Sequence, residues 1–139
     1  FNWLGQDLSD KNCLDLFSGS GVLGFESLSR NAKSCKFVDS NALTILDLIE
    51  NKNNLNADNA LIINSPAEIF LKNNKESFDI IFFDPPFLNT DIYPLLSEIK
   101  NHLTPNGFVY LEVNKKYSND EFNILKYSKA GKVYFYLLQ

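Results

Sequence analysis

The chain has 139 residues, of which 45% are hydrophobic and 22% charged, and its formal net charge is −4. This is the composition of an ordinary globular protein, and the length predicts a single domain spanning residues 1–139. Disorder, collagen and coiled coil are excluded. The excess of acidic residues argues against nucleic-acid binding by bulk charge alone, and no apolar run approaches the roughly 20 residues of a membrane helix.

Cysteine and methionine usage gives two further expectations. Cys13 and Cys35 show neither CxxC nor Cys/His spacing, so we expect two buried, reduced thiols and no redox or metal motif. This usage is typical of the cytosol. The sequence contains no Met, which indicates that a native N-terminal segment precedes Phe1.

Apolar runs typical of strands alternate with amphipathic segments typical of helices along most of the chain. The predicted strands are 13–17, 34–38, 61–63, 78–83 and 108–113. Four helices are predicted. Two cover residues 22–29 and about 41–54, the third begins at Pro66, and the fourth is marked by the apolar residues from Ile92 to Leu103. Ser65 and Glu68 are spaced as a capping box for the third helix. Asn106-Gly107 is a predicted turn.

The last part of the chain departs from this alternation. Strands are predicted at 122–127 and 133–138, and the connection between them, 128–131, is short enough to make an antiparallel hairpin. Continuous apolar strands separated by helices indicate a parallel sheet with helices on both faces. We therefore predict an α/β fold with a seven-stranded, mostly parallel sheet and one antiparallel strand.

A glycine-rich loop follows the first predicted strand. Residues 15–24 read Asp-Leu-Phe-Ser-Gly-Ser-Gly-Val-Leu-Gly and place a GxGxxG pattern between a strand and a helix. Glycines let backbone N–H groups approach a ligand closely. Asp39 ends the next strand, where an acid in nucleoside-binding α/β folds accepts hydrogen bonds from ribose hydroxyls. Together these features predict an adenosine-type cofactor.

The glycine pattern fits both a dinucleotide and S-adenosylmethionine. Asp15 lies inside the motif, before its first glycine. A carboxylate at that place would hold the ammonium of a bound amino acid and would repel a pyrophosphate. This detail favours S-adenosylmethionine.

A second motif, Asp84-Pro85-Pro86-Phe87, ends the strand predicted at 78–83. Ligands of doubly wound sheets bind at the carboxyl ends of the strands, so we expect this turn and the glycine loop in one crevice. Prolines have no N–H, so the Pro85 carbonyl is fixed without a neighbouring donor. With the Asp84 carboxylate it offers two acceptors for an exocyclic amine, and Phe87 offers a face on which a base stacks.

These segments together resemble class I S-adenosylmethionine-dependent methyltransferases and, more narrowly, the RsmD-type 16S ribosomal RNA guanine-N2 methyltransferases. The resemblance is carried by residues 15–26, 29–32, 37–39 and 79–87, with a weaker likeness at 1–4 and 129–133. It implies a Rossmann-like class I methyltransferase fold and methyl transfer to the N2 amine of a guanine. The implied partner is 16S ribosomal RNA or the small-subunit particle, and the implied enzyme is a cytoplasmic monomer.

The resemblance also implies which residues act. It places the target amine and catalysis at Asp84, Pro85, Pro86 and Phe87. It places the cofactor on Asp15, Phe17, Ser18, Gly19, Gly21, Gly24, Asp39, Ser40, Ser65, Pro66 and Ala67. Members of the family carry basic sequence upstream that helps hold RNA, so we expect these 139 residues to bind cofactor but to methylate RNA poorly.

Other functions stay open on the sequence alone. The same chemistry would serve a DNA adenine-N6 or a protein glutamine-N5 methyltransferase. A nicotinamide-dependent oxidoreductase would explain the glycine loop and Asp39 but leave the Asp-Pro-Pro-Phe turn unused. A non-catalytic RNA-binding module of the same shape is disfavoured by the intact Asp84 and glycines. His102, the single histidine, is expected at the surface near a helix end.

Overall fold

A single seven-stranded sheet organises the protein, in a computed structural model that describes residues 2–86, 91–118 and 120–139. Its strands run in the order β3-β2-β1-β4-β5-β7-β6. Strands β1 to β5 are parallel, and β7 is antiparallel to both of its neighbours. The predicted fold is therefore confirmed. The strands are β1 (Asn12–Asp15), β2 (Ser34–Asp39), β3 (Ala60–Asn64), β4 (Phe78–Phe83), β5 (Leu103–Val113), β6 (Ile124–Ala130) and β7 (Val133–Leu138).

Helices cover both faces of this sheet. They are α1 (Val22–Ser29), α2 (Ala42–Asn54), α3 (Ala67–Asn73) and α4 (Tyr93–Lys100). Successive side chains of a strand point to opposite faces, so β4 contributes Ile80 and Phe82 to one core and Ile81 and Phe83 to the other. The first core lies against α1 and α2, and the second against α3 and α4. Burial on both faces explains why the central strands are continuously apolar.

Strand β5 begins earlier than the sequence indicates. The prediction that Leu103 belongs to a helix and Asn106-Gly107 to a turn is wrong, since all three lie in β5. Phe78 pairs with Leu103 while Ile80 pairs with Phe108, so the extra residues of β5 are absorbed in an irregularity of the register. A Cβ at Gly107 would lie 3.1 Å from the Phe78 carbonyl oxygen, and glycine permits this close approach.

Two further local predictions are also wrong. The first turn of α3 has no side-chain cap, because its N-cap is Pro66 and the Ser65 hydroxyl donates to the Pro66 carbonyl instead. Strand β6 continues to Ala130, so only Gly131 and Lys132 connect the hairpin. Gly131 has a φ of +60°, which a tight hairpin turn favours.

His102 is buried rather than exposed, in contrast to the prediction. It lies between α4 and β5, and its Nδ1 is 3.0 Å from the Asn74 amide nitrogen. Its Nε2 is 3.4 Å from Glu98 Oε1. The ring is therefore part of the packing of this helix end.

The two cysteines are buried and free, as predicted. Cys13 on β1 and Cys35 on β2 are register partners. Burial raises the pKa of Cys13 to about 12, so its thiol is unreactive at neutral pH.

No helix in the described part of the chain is both long and apolar enough to cross a membrane.

Gly24 is where α1 packs closest to the sheet. A Cβ there would lie 2.3 Å from Phe37 Cε1 and 3.0 Å from Asp15 Oδ2. We expect Gly24→Ala to lower the free energy of unfolding by about 1–3 kcal/mol, because the phenyl ring and the helix must separate. Urea unfolding measures this. Val22→Ala in the same helix, where Val22 is exposed, should change it by less than about 0.5 kcal/mol. Equal stability of the two variants would contradict the close packing.

Candidate active site

A cleft of about 490 Å³ opens where β1, β2 and β4 end. Its volume is in the range of small-molecule sites. The predicted residues that line it are Phe17, Ser18, Gly19, Asp39, Ser40, Ser65, Ala67, Asp84, Pro85 and Pro86. The glycine loop and the diproline turn therefore share one cleft, as expected from the strand ends. Leu16 and Ser20 also line it and were not predicted.

Four of the predicted residues that the structure describes do not line this cleft. Asp15 ends β1, Gly21 and Pro66 are the N-caps of α1 and α3, and Gly24 lies in α1 against the sheet. Phe87 lies outside the described residues.

Backbone hydrogen bonds fix the glycine loop between its neighbouring strands. The Leu16 N–H donates to the Phe82 carbonyl on β4 at 3.2 Å, and the Ser18 N–H donates to the Val38 carbonyl on β2 at 3.0 Å. Gly21 has a φ of +82° and packs so closely that a Cβ would lie 2.7 Å from Leu48. The loop is thus shaped by both the strands and α2.

Asp39 connects the loop to the start of α2. Its Oδ2 accepts the Gly19 N–H at 3.0 Å, and its Oδ1 accepts the Asn41 N–H at 2.9 Å. Each carboxylate oxygen has a second lone pair. Asp39 can therefore hold the loop and still accept hydrogen bonds from a ligand in the cleft.

Asp15 lies behind the loop and is 2% exposed. Its Oδ2 accepts the Gly24 N–H at 3.0 Å. Burial raises the pKa of Asp15 to about 8, opposed by the Gly24 hydrogen bond and increased by the nearby charges of Asp84 and Asp39. The structure therefore shows this carboxyl hydrogen-bonded to α1.

Asp84 directly follows β4 and is partly exposed in the cleft. The Glu112 carboxyl lies beside it on β5, because the preceding residues, Phe83 and Leu111, are register partners. Burial raises the pKa of Asp84 to about 7, and the neighbouring Glu112 carboxyl adds to the increase. Glu112 was not predicted, although an acid near the carboxyl end of an otherwise apolar strand was a visible signal.

The chemistry of the cleft fits a cationic nucleoside cofactor. Its described lining residues include the carboxylates Asp39 and Asp84 and no Lys, Arg or His. A pyrophosphate would be repelled there, whereas an ammonium or a sulfonium is attracted. The loop supplies small residues that allow a ligand to approach closely. Bound S-adenosylmethionine would supply a methyl group on a positively charged sulfur.

A parallel sheet with an antiparallel strand inserted at β7, and an acidic cleft at its carboxyl edge, defines a class I S-adenosylmethionine-dependent methyltransferase fold. The comparisons agree. The family described as "Conserved hypothetical protein 95" matches residues 1–139, and the chain belongs to it.

Several known proteins and solved structures are similar to the chain in sequence and in fold. The chain is 37% identical over 149 residues to ribosomal RNA small subunit methyltransferase D of Haemophilus influenzae, covering 100% of this chain and 77% of that protein. It is 40% identical over 109 residues to the Escherichia coli K12 protein of the same name, covering 78% of this chain and 53% of the relative. The solved structure of a putative methyltransferase from Escherichia coli is 31% identical with a TM-score of 0.91, covering 100% of this chain and 80% of that one.

These relatives confirm the predicted family. The predicted cofactor, S-adenosylmethionine, is confirmed with it, since methyltransferases match across the whole chain.

Asp15 should make stability depend on pH. Its proton stays bound in the folded protein up to a pKa of about 8, whereas an unfolded Asp ionises near pH 4. Between these values the folded state binds more protons, so the free energy of unfolding falls as the pH rises. We expect Asp15→Asn to lose less stability than the wild type between pH 5 and pH 8, by roughly 3–4 kcal/mol, since each pH unit contributes up to about 1.4 kcal/mol. Urea unfolding at both pH values measures the difference.

The exposed Asp58→Asn variant is the matched control and should follow the wild-type dependence. Identical pH dependence in wild type and Asp15→Asn would show that Asp15 is ionised in the folded protein.

Proposed function

We propose that this chain is the catalytic domain of an enzyme that methylates the exocyclic N2 amine of a guanine in 16S ribosomal RNA, and that residues 1–139 form this one domain. The observation that carries the proposal is that the glycine loop and Asp84-Pro85-Pro86 line the same cleft. The names of the relatives, which are small-subunit ribosomal RNA methyltransferases, support the substrate class. The sequence resemblance supports guanine N2.

Asp84 and Pro85 would bind the target amine. An exocyclic amine has two N–H donors, and the Asp84 carboxylate and the Pro85 carbonyl are two acceptors at one corner of the cleft. Neither Pro85 nor Pro86 has an N–H, so no backbone donor of the turn competes for these acceptors. Phe87, the next residue, is proposed to stack on the base.

Positioning would supply much of the rate. The amine of guanine is a poor nucleophile because its lone pair is delocalised into the ring. Holding both N–H bonds favours a geometry in which the lone pair turns out of the ring plane. A fixed amine beside a fixed cofactor turns a bimolecular displacement into an effectively unimolecular one.

The other predicted residues are assigned to the cofactor. Asp39 would accept hydrogen bonds from the ribose, and Ser65 and Ala67 at the start of α3 would line the adenine. Gly24 and Asp15 act indirectly in this proposal, because their mutual hydrogen bond fixes the start of α1 behind the loop.

The phosphates of the RNA would contact exposed lysines outside the acidic cleft, while the target guanine enters it. Lys115 and Lys116 follow β5, and Lys126, Lys129 and Lys132 lie on the β6–β7 hairpin. All five are exposed. Such lysines are suited to phosphate contacts, which position a nucleic acid without reading its sequence. An enzyme with this substrate is proposed to act in the cytoplasm, as a monomer.

Asp39 gives a test of the cofactor site. Asp39→Ala removes both the ribose acceptor and the partner of the Gly19 N–H, so we expect the affinity for S-adenosylmethionine to fall at least tenfold, or about 1.4 kcal/mol. Isothermal titration calorimetry measures this. Asp58→Ala, remote from the cleft, should bind like the wild type. An unchanged affinity in Asp39→Ala would remove Asp39 from the site.

Asp84 gives a test of the transfer itself. In the full-length protein we expect Asp84→Asn to reduce methyl transfer by about 10²–10⁴-fold, because the proton acceptor is lost. Affinity for S-adenosylmethionine should change by less than about threefold. Transfer is followed with a radiolabelled methyl group on unmodified small-subunit particles and on free 16S RNA, with Asp58→Asn as the control.

Mass spectrometry of the products distinguishes the alternatives. N2-methylguanosine in 16S RNA supports the proposal. Methyladenine in duplex DNA, or methylglutamine in protein, with unmodified ribosomal RNA would contradict it. Full biological activity of Asp84→Asn would instead indicate a non-catalytic module.

A further inference from the structure

Glu112 is the neighbour of Asp84 on the adjacent strand. Phe83 on β4 pairs with Leu111 on β5 in a parallel register, so the next residues, Asp84 and Glu112, lie side by side where both strands reach the cleft. Residues two apart on a strand share a face. The two carboxyls therefore lie on the same face of the sheet as Phe82 and Tyr110, whose rings are in edge contact with centroids 6.2 Å apart.

Tyr110 orients Glu112 through a hydrogen bond. Its hydroxyl donates to Glu112 Oε1 at 3.3 Å, and its ring is buried against Phe82 and Trp3. Only one oxygen of Glu112 is engaged in this way. The other oxygen remains able to form a hydrogen bond with the neighbouring Asp84 carboxyl, and after burial this neighbour is the main cause of the raised pKa of Asp84. Two carboxyls can make such a bond only when a proton lies between them.

The other titratable groups near Asp84 are few. From β5 they are Glu112 and Tyr110, and from β1 the buried Asp15, whose own pKa responds to the charge of Asp84. Among the described lining residues of the cleft there is no cation to compensate this negative charge. A proton shared by Asp84 and Glu112 lowers the repulsion.

We propose that Glu112 is a positioning residue for Asp84: the two carboxyls share one proton in the free protein, and loss of that proton converts Asp84 into the acceptor for the target amine. This rests on the proposed function of Asp84. The shared hydrogen bond holds the Asp84 side chain at the cleft, and it sets the pH at which the acceptor forms. Burial and Glu112 together raise the pKa of Asp84 to about 7, near the pH at which such an acceptor is most effective.

The proton balance of the transfer fits this role. The lone pair of the base nitrogen forms the bond to the methyl carbon, while the carbon–sulfur bond breaks and its electrons stay on sulfur. The nitrogen then loses one proton, which passes to the Asp84 carboxylate. A carboxylate beside a second negative carboxylate accepts that proton more readily than an isolated one.

Glu112→Gln tests the proposal, because the amide keeps a hydrogen bond to Asp84 but removes the like charge. In the wild type we expect the single-turnover methylation rate to rise with pH, with a midpoint near the Asp84 pKa of about 7. In Glu112→Gln that midpoint should fall by at least one pH unit. The same midpoint in the wild type and in Glu112→Gln would overturn the proposal. Glu76→Gln, an exposed carboxylate before β4 at the far end from Asp84, should leave the midpoint unchanged.

Tyr110→Phe is a second variant, for which we expect the pH midpoint to shift in the opposite direction. It retains the packed ring but removes the donor to Glu112, so the ionised form of the pair is less stable and the midpoint should rise. A shift of the Tyr110→Phe midpoint in the same direction as that of Glu112→Gln would also overturn the proposal.

Carboxyl ¹³C NMR of the free, full-length protein tests the Asp84–Glu112 pair independently of the proposal that guanine is the substrate. We expect the Asp84 resonance of the wild type to titrate near pH 7 and that of Glu112→Gln to titrate at least one unit lower. This result without any methylated guanine would support the pair and contradict the substrate. Guanine methylation by a wild type whose Asp84 titrates near pH 4 would support the substrate and overturn the pair.

Discussion

Four acidic side chains meet at one edge of the sheet because the parallel strands that carry them all end there. Asp15 ends β1, Asp39 ends β2, Asp84 follows β4, and Glu112 lies near the end of β5. Burial raises the pKa values of Asp15 and Asp84, and repulsion from the neighbouring carboxyls raises them further. A cationic ligand would relieve this repulsion, and S-adenosylmethionine carries both an ammonium and a sulfonium.

The same acids also shape the loop that they surround. Asp39 accepts the Gly19 N–H, and Asp15 accepts the Gly24 N–H. The loop is therefore preorganised by these two side chains, and less ordering remains to be done when a ligand binds. Stability and binding are linked through these two hydrogen bonds, so a substitution of either acid changes both.

Much of the site could be predicted because its signals are local. The GxGxxG pattern and the Asp-Pro-Pro turn each follow an apolar strand, and the carboxyl ends of parallel strands meet at one edge, so their shared cleft followed from the sequence. Glu112 could not be assigned in this way, because its role depends on the register of β4 against β5. The burial of Asp15 behind the loop likewise depends on how α1 packs on β1 and β2.

The sequence by itself determined the order of strands and helices, the bounds of α1, β4 and β7, and the family, because each rests on apolar periodicity or on a short motif. The tertiary structure alone decided the irregular register that places Gly107 inside β5, the burial of His102, and the position of Glu112 beside Asp84. The physical reason is the same in each case. These features depend on contacts between segments distant in sequence, and the protonation of a carboxyl depends on every charge and dipole that folding brings near it.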